Sequence, residues 1–281
     1  MRGASVIVPW VSEKIDTEVL VAAGLQLKGV CNYAVGVDNI DLAACKARGV
    51  IVTNTPNAVT EGTADMAWAL LLAVARRVIE ADRFARSPEY PARGPLGPTD
   101  LVGTDLTGKT LLIVGAGRIG FAVAMRSRGW GMRVLYVART RHWDFELAPL
   151  AAERVTLEEG LARADVVSVH CPLTPETRGL MNAKSFGAMK PGAIFINTAR
   201  GPIHDEQALV DALKRGRLYG AGLDVFEREP RVHEELKGMS NVVLTPHIGS
   251  AEARYREMMT AMALENARAV LTGETPPNRV A

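Results

Sequence analysis

Three side chains of different chemistry each follow an apolar run that reads as a strand. Arg200 comes after AIFINTA, Glu229 lies five residues past Asp224 in LDVFEREP, and His247 comes after NVVLTP. A guanidinium presents a planar fork of donors that suits an anionic group. An imidazole titrates near working pH and can pass a proton in either direction. The three are 29 and 18 residues apart, so only folding could bring them together. Reactive groups just past strand ends matter because open α/β sheets bind ligands beyond the carboxyl ends of their strands.

A second constellation is TLLIVGAGRIGF at 110–121, where Gly115, Gly117 and Gly120 fit GxGxxG. An apolar strand precedes it, and a helical pattern begins at Arg118 and Ile119. The first glycine permits a tight turn, the second a close approach to a pyrophosphate, and the third helix-to-strand packing. Unpaired N–H groups at the helix start then face the anion. Where the next strand ends, an NAD site would carry a carboxylate for the ribose hydroxyls. Arg139, Thr140 and Arg141 stand there instead, and the first carboxylate is Asp144. Two arginines and a hydroxyl suit a 2′-phosphate. The expected cofactor is therefore NADP(H), with NAD(H) as the alternative.

The elements that must position these groups alternate. Short apolar runs at 6–9, 28–31, 50–53, 110–114, 133–137, 166–170, 193–197, 220–224 and 242–245 read as strands buried on both faces, as in parallel sheets. Helical patterns lie between them, which predicts doubly wound α/β architecture. Residues 60–86 read as one long helix with an apolar middle. Residues 87–107 are rich in Pro and Gly and read as a boundary or an active-site loop. A last long helix is predicted over 251–271.

Composition excludes several classes. The 281 residues are 48% hydrophobic and 23% charged, as in a globular chain of about two domains. The net charge of +2 leaves no nucleic-acid footprint. No apolar run reaches the roughly 20 residues that span a bilayer. Cys31, Cys45 and Cys171 are far apart and show no metal spacing, so a reduced, cytoplasmic setting and no metal are expected. His142, His170, His204 and His233 are read as structural, and Glu227 as a solvated charge.

TARG at 198–201, GLDVFEREP at 222–230 and TPHIGS at 245–250 resemble the D-isomer-specific 2-hydroxyacid dehydrogenase family. The glycine motif, LTPET at 173–177 and NYAVGVDNID at 32–41 fit as well. The likeness covers essentially the whole chain and is greatest to the glyoxylate/hydroxypyruvate reductase branch. It implies a Rossmann cofactor domain over 81–249. It also implies a flavodoxin-like substrate domain over 1–80 and 250–281, with a hinged cleft between the two and a homodimer. The implied reaction is reduction of a small 2-oxoacid to the D-2-hydroxyacid.

The resemblance also implies roles. His247 is the general acid, Glu229 orients its ring and favours its protonated form, and Arg200 binds the substrate carboxylate. The backbone of Val35 and Gly36 also meets that carboxylate. Asp224 and the backbone near Thr198 approach the nicotinamide amide, and Pro172 and Thr177 belong to the cofactor site. Two other readings stay open: an NADH-linked dehydrogenase of the 3-phosphoglycerate or D-lactate type, and a dinucleotide-sensing interaction protein without turnover.

The chain departs from the family in three places. About 40 residues that usually precede ASVIVPW are not in the sequence, an estimate from typical βαβ length, so the 6–9 strand is expected at an exposed edge. The 90–99 loop is unusually rich in Pro and Gly. His204 stands where the family usually has an apolar residue, and the sequence gives it no role.

Overall fold

The computed structural model describes residues 2–281, which form helices and parallel strands in two compact units. One unit comprises Met1–Gly62 and Ser250–Ala281, the other Thr63–Gly249. The first has a parallel sheet of β1 (Val6–Ile7), β2 (Gly29–Cys31) and β3 (Ile51–Thr53) in that order, so β1 is an edge strand. Helices Thr17–Ala23 and Leu42–Ala47 connect them. Each starts at an aspartate, Asp16 or Asp41, whose carboxylate accepts first-turn N–H groups. Leu20, Val30, Cys45 and Val52 form the core. The long helix Ala253–Thr272 closes over β2, with Val270 against Gly29.

The second unit is built on seven parallel strands: β4 (Thr110–Val114), β5 (Arg133–Val137), β6 (Glu153–Arg154), β7 (Val166–Val169), β8 (Ala193–Asn197), β9 (Leu218–Leu223) and β10 (Val242–Leu244). Their order is β10-β9-β8-β7-β4-β5-β6, with the chain turning back on either side of β4. That is the doubly wound arrangement the alternating runs predict, and it places a switch point where β4 and β7 diverge. The buried β4, β7 and β8 separate two apolar layers. One contains Leu112, Val167, Phe195 and Leu209, the other Leu111, Ile113, Ile196 and Tyr136.

Three expectations change. Residues 63–80 fall in the second unit rather than with 1–62. Trp68, Leu71 and Val74 pack into the layer of Leu111 and Ile113, Trp68 Nε1 donates to Val123 O at 2.9 Å, and the Trp68 and Trp130 rings stack at 4.4 Å. The helix expected over 60–86 is two helices, Thr60–Ala75 and Val78–Ala85. Thr104 N–H takes the Ala75 carbonyl at 2.8 Å, an acceptor that a continuous helix would need. Arg77 adopts a left-handed conformation (φ 53°) held by two hydrogen bonds to Glu80 at 2.9 and 2.7 Å. Finally, the Pro/Gly-rich stretch contains a short helix, Glu89–Arg93. No helix among the described residues is long and apolar enough to cross a membrane.

Candidate active site

β8, β9 and β10 lie side by side, and their last residues are in register: Asn197 pairs with Leu223, and Leu223 with Leu244. The loops carrying Arg200, Glu229 and His247 therefore leave one end of the sheet together. Gly201 brings the first two loops into backbone contact. A Cβ there would fall on the Phe226 carbonyl and 2.5 Å from Glu227 N, a separation that real side chains do not reach. Only glycine allows the chain after Arg200 to lie against the chain before Glu229.

Glu229 and His247 meet directly, with His247 Nδ1 2.8 Å from Glu229 Oε2. Glu229 Oε1 accepts Phe226 N–H at 3.1 Å, which fixes the carboxylate in its own loop. Burial alone would push the Glu229 carboxyl up. The His247 hydrogen bond and charge, the Phe226 N–H and the Arg200 charge together hold it below the ordinary value. With Nδ1 engaged by the carboxylate, His247 Nε2 has no hydrogen-bond partner among the described residues. The Arg200 guanidinium donates to Ala199 O at 2.7 Å.

His247 itself sits in the left-handed region at φ 54°. For a residue with a Cβ this costs on the order of 1–3 kcal/mol and must be imposed by neighbours. Asp224 imposes it. Its carbonyl accepts His247 N–H at 2.8 Å. Its buried carboxylate accepts Thr245 Oγ1 at 2.6 Å, Ile248 N–H at 2.8 Å and Gly249 N–H at 2.8 Å. Burial raises the Asp224 carboxyl, opposed by these three donors and the His247 charge. The family resemblance implies that Asp224 approaches the nicotinamide amide; both its oxygens also hold the loop on either side of His247.

The glycine motif forms a cradle. Gly115 (φ 106°) lies so close to the exit of β7 that a Cβ would be 2.7 Å from Cys171 Cα. The nine-residue helix Arg118–Arg126 starts at Gly117 with no side-chain cap, which leaves the first-turn N–H groups of Arg118, Ile119 and Gly120 without one. A Cβ at Gly117 would meet nothing within 4 Å. Thr198 Oγ1 is buried without a partner among the described residues. An open, uncapped helix start and an unsatisfied hydroxyl fit a dinucleotide. Pro172 and Thr177 lie together in one turn, Thr177 Oγ1 donating to Pro172 O at 2.7 Å.

Past β5, the two arginines are not equivalent. Arg141 is held by Glu146 (Nε to Oε2, 2.6 Å) and covers the Trp143 ring at 4.0 Å. Arg139 is exposed, and its guanidinium has no hydrogen bond among the described residues. Arg154 fixes the turn by donating to the Ala138 and Arg139 carbonyls at 3.0 and 2.8 Å. Thr140 is exposed in the same turn. In the first unit, the Val35 and Gly36 carbonyls accept from Asn54 and Asn32 at 2.8 and 2.7 Å. The N–H groups of Val35 and Gly36 have no acceptor among the described residues.

Sequence reasoning missed two features. Glu227 is not merely solvated: its Oε2 accepts Glu206 N–H at 3.2 Å, while Glu206 Oε1 accepts Glu227 N–H at 3.0 Å. This reciprocal clasp ties the Glu229 loop to the start of helix Glu206–Lys214. The other is Asn197, a polar residue at the end of a buried strand, whose position was its only signal.

Comparison with known proteins gives a consistent answer. A sequence model of the D-isomer specific 2-hydroxyacid dehydrogenase NAD-binding domain matches residues 68–249. The chain is 50% identical over 281 residues to a glyoxylate reductase of Thermococcus onnurineus, covering 100% of this chain and 84% of that protein. The crystal structure of a Thermus thermophilus protein superposes with a TM-score of 0.92 at 50% identity, covering 100% of this chain and 87% of that one. An NADPH-dependent glyoxylate/hydroxypyruvate reductase from Sinorhizobium meliloti, solved with NADP and malonate, gives 0.90 at 35% identity, with 100% and 85% covered. The chain thus belongs to the D-isomer-specific 2-hydroxyacid dehydrogenase family, enzymes that work with a nicotinamide dinucleotide.

Proposed function

We propose that this enzyme reduces glyoxylate or hydroxypyruvate to the D-2-hydroxyacid with NADPH. The observation that carries the reading is the His247–Glu229 pair at 2.8 Å, formed in a loop that Asp224 holds in a strained conformation. A histidine whose Nδ1 is engaged and whose Nε2 has no partner among the described residues is arranged to give a proton at one atom. Glu229 keeps the ring from turning and complements its charge. The glyoxylate and glyoxylate/hydroxypyruvate reductases among its relatives favour a small 2-oxoacid.

Arg200 binds the substrate carboxylate through its fork of donors and polarises the neighbouring carbonyl. His247 Nε2 protonates the carbonyl oxygen as it becomes an alkoxide, and accepts that proton in the reverse direction. The first-turn N–H groups from Arg118 to Gly120, with Thr198 and the turn of Pro172 and Thr177, would hold the dinucleotide; Arg139 and Thr140 would take the 2′-phosphate. When bound, the nicotinamide supplies the hydride. The N–H groups of Val35 and Gly36 are the first unit's candidates for a carboxylate. Exposed Val78, Ile79 and Val102 support assembly as a homodimer, which light scattering would test.

Oxidation of NADPH and NADH is to be followed with glyoxylate, hydroxypyruvate, pyruvate and phosphohydroxypyruvate. The proposal expects the highest kcat/KM for glyoxylate or hydroxypyruvate with NADPH. A preference for pyruvate or phosphohydroxypyruvate would refute the substrate assignment, and a preference for NADH the cofactor assignment.

A further inference from the structure

Arg200 is held from behind. The last residue of β8, Asn197, is completely buried, and its amide is fully used by the segment that follows. Its Oδ1 accepts Ala199 N–H at 2.9 Å, and its Nδ2 donates to Arg200 O at 3.0 Å. The peptide unit between these contacts carries the Ala199 carbonyl, the acceptor for the Arg200 guanidinium at 2.7 Å. The direction in which the guanidinium leaves the chain is therefore set through the Asn197 amide.

That amide is itself oriented. Its second Nδ2 hydrogen meets His204 Nδ1 at 3.0 Å. Because Arg200 O can only accept, the atom facing it is Nδ2, and His204 Nδ1 must accept as well. The proton of the neutral ring then sits on Nε2, which is buried without a partner among the described residues. The ring packs on Phe195 with centroids 5.6 Å apart. Burial pushes the imidazole down to about 4, so at neutral pH it remains an acceptor. An orphaned buried N–H is unfavourable; an apolar side chain would remove this one but leave an Asn197 Nδ2–H without an acceptor. The one thing His204 supplies that an apolar residue does not is the acceptor for Asn197.

We propose that Asn197 and His204 are positioning residues for Arg200, forming a buried His–Asn relay that fixes the guanidinium for the substrate carboxylate. The inference rests on Arg200 being the carboxylate ligand. It assigns a role to a histidine for which the sequence offered none.

The test compares Asn197→Asp in the otherwise native enzyme and in an Arg200→Gln background, with saturating NADPH. An aspartate keeps the acceptor and loses both donors. The native-background variant is expected to raise KM for the 2-oxoacid about tenfold, the value of roughly one hydrogen bond, with kcat changed less than about threefold. In the Arg200→Gln background the same change should move KM less than about twofold, because the group being positioned is gone. Equal effects in both backgrounds would overturn the proposal. An Arg200→Gln enzyme with unchanged KM would refute the carboxylate reading instead, and the relay with it.

If Asn197→Asp does not fold, His204 carries the test. His204→Val exchanges the orphaned Nε2–H for an unaccepted Asn197 Nδ2–H and so should fold comparably, yet raise KM about threefold, whereas His204→Asn, which keeps an acceptor near Nδ1, should restore it. A folded His204→Val enzyme with native KM would overturn the relay.

Discussion

Replacing Arg139 by alanine isolates the basis of dinucleotide choice. The structure separates two arginines that the sequence presents as a pair. Arg141 is already engaged by Glu146 at 2.6 Å and by the Trp143 ring at 4.0 Å, whereas the Arg139 guanidinium makes no hydrogen bond among the described residues. Recruiting Arg141 to a phosphate would first break its hydrogen bond and ring contact, while Arg139 gives up only water and an attraction to the Glu176 carboxylate that involves no hydrogen bond. A charge-assisted hydrogen bond contributes about 1.5–3 kcal/mol, toward the lower end at an exposed site. Arg139→Ala should therefore weaken NADPH about tenfold to thirtyfold and leave NADH within about twofold. Arg141→Ala should change NADPH affinity less than about threefold, since it removes a residue already neutralised. The assay is fluorescence titration of each protein with NADPH and with NADH, repeated at two salt concentrations, where only the phosphate-dependent part should respond. An Arg139→Ala protein with an unchanged NADPH/NADH ratio, or an Arg141→Ala protein with the larger loss, would refute the reasoning.

Three other predictions follow from particular contacts. Gly201→Ala must drive the Phe226–Glu227 backbone away from the Arg200 loop, so thermal unfolding should show a loss of about 2–3 kcal/mol and turnover should fall more than tenfold. Asp224→Asn places an amide N–H against the donors of residues 245–249. Denaturant titration should show a loss of about 3 kcal/mol, with reduced kcat as the His247 turn relaxes. The depressed His204 pKa makes stability fall in acid. Between the unfolded value of 6.5 and the folded value of about 4, the unfolded chain binds a proton that the folded one does not. That removes about 3 kcal/mol as pH drops through this window. His204→Val should lack this loss, so its stability relative to the native protein should rise from pH 7 to pH 4. Parallel acid titrations of the two proteins would contradict the burial argument.

The fold was legible wherever burial is written into composition. The strands at 110–114, 133–137 and 193–197 have the bounds their apolar runs predict, because a strand covered on both faces is apolar through its middle, with polar residues only at its ends, here Thr110, Arg133 and Asn197. Glu153–Arg154 was missed because both residues of that edge strand are exposed and carry no apolar signal. The break between Ala75 and Val78 was invisible because its cause is distant: Thr104 removes an acceptor from the helix. Arg200, Glu229 and His247 could be selected because reactive side chains at strand ends stand out. Asn197 and the Glu206–Glu227 clasp could not, since a polar residue at the end of a buried strand reads as the beginning of a turn. Nor could the sequence distinguish Arg139 from Arg141, a distinction that depends on which of them Glu146 reaches.

The central claim is that His247 delivers the proton while the dinucleotide is held elsewhere in the same unit. The most direct test is His247→Asn, with single-turnover reduction of glyoxylate and NADPH affinity measured on the same preparation. The account predicts a rate reduced by about a thousandfold or more, in line with the loss of a general acid, and an NADPH dissociation constant within about twofold of native. Reduction at a near-native rate, or parallel loss of reduction and NADPH binding, would contradict it.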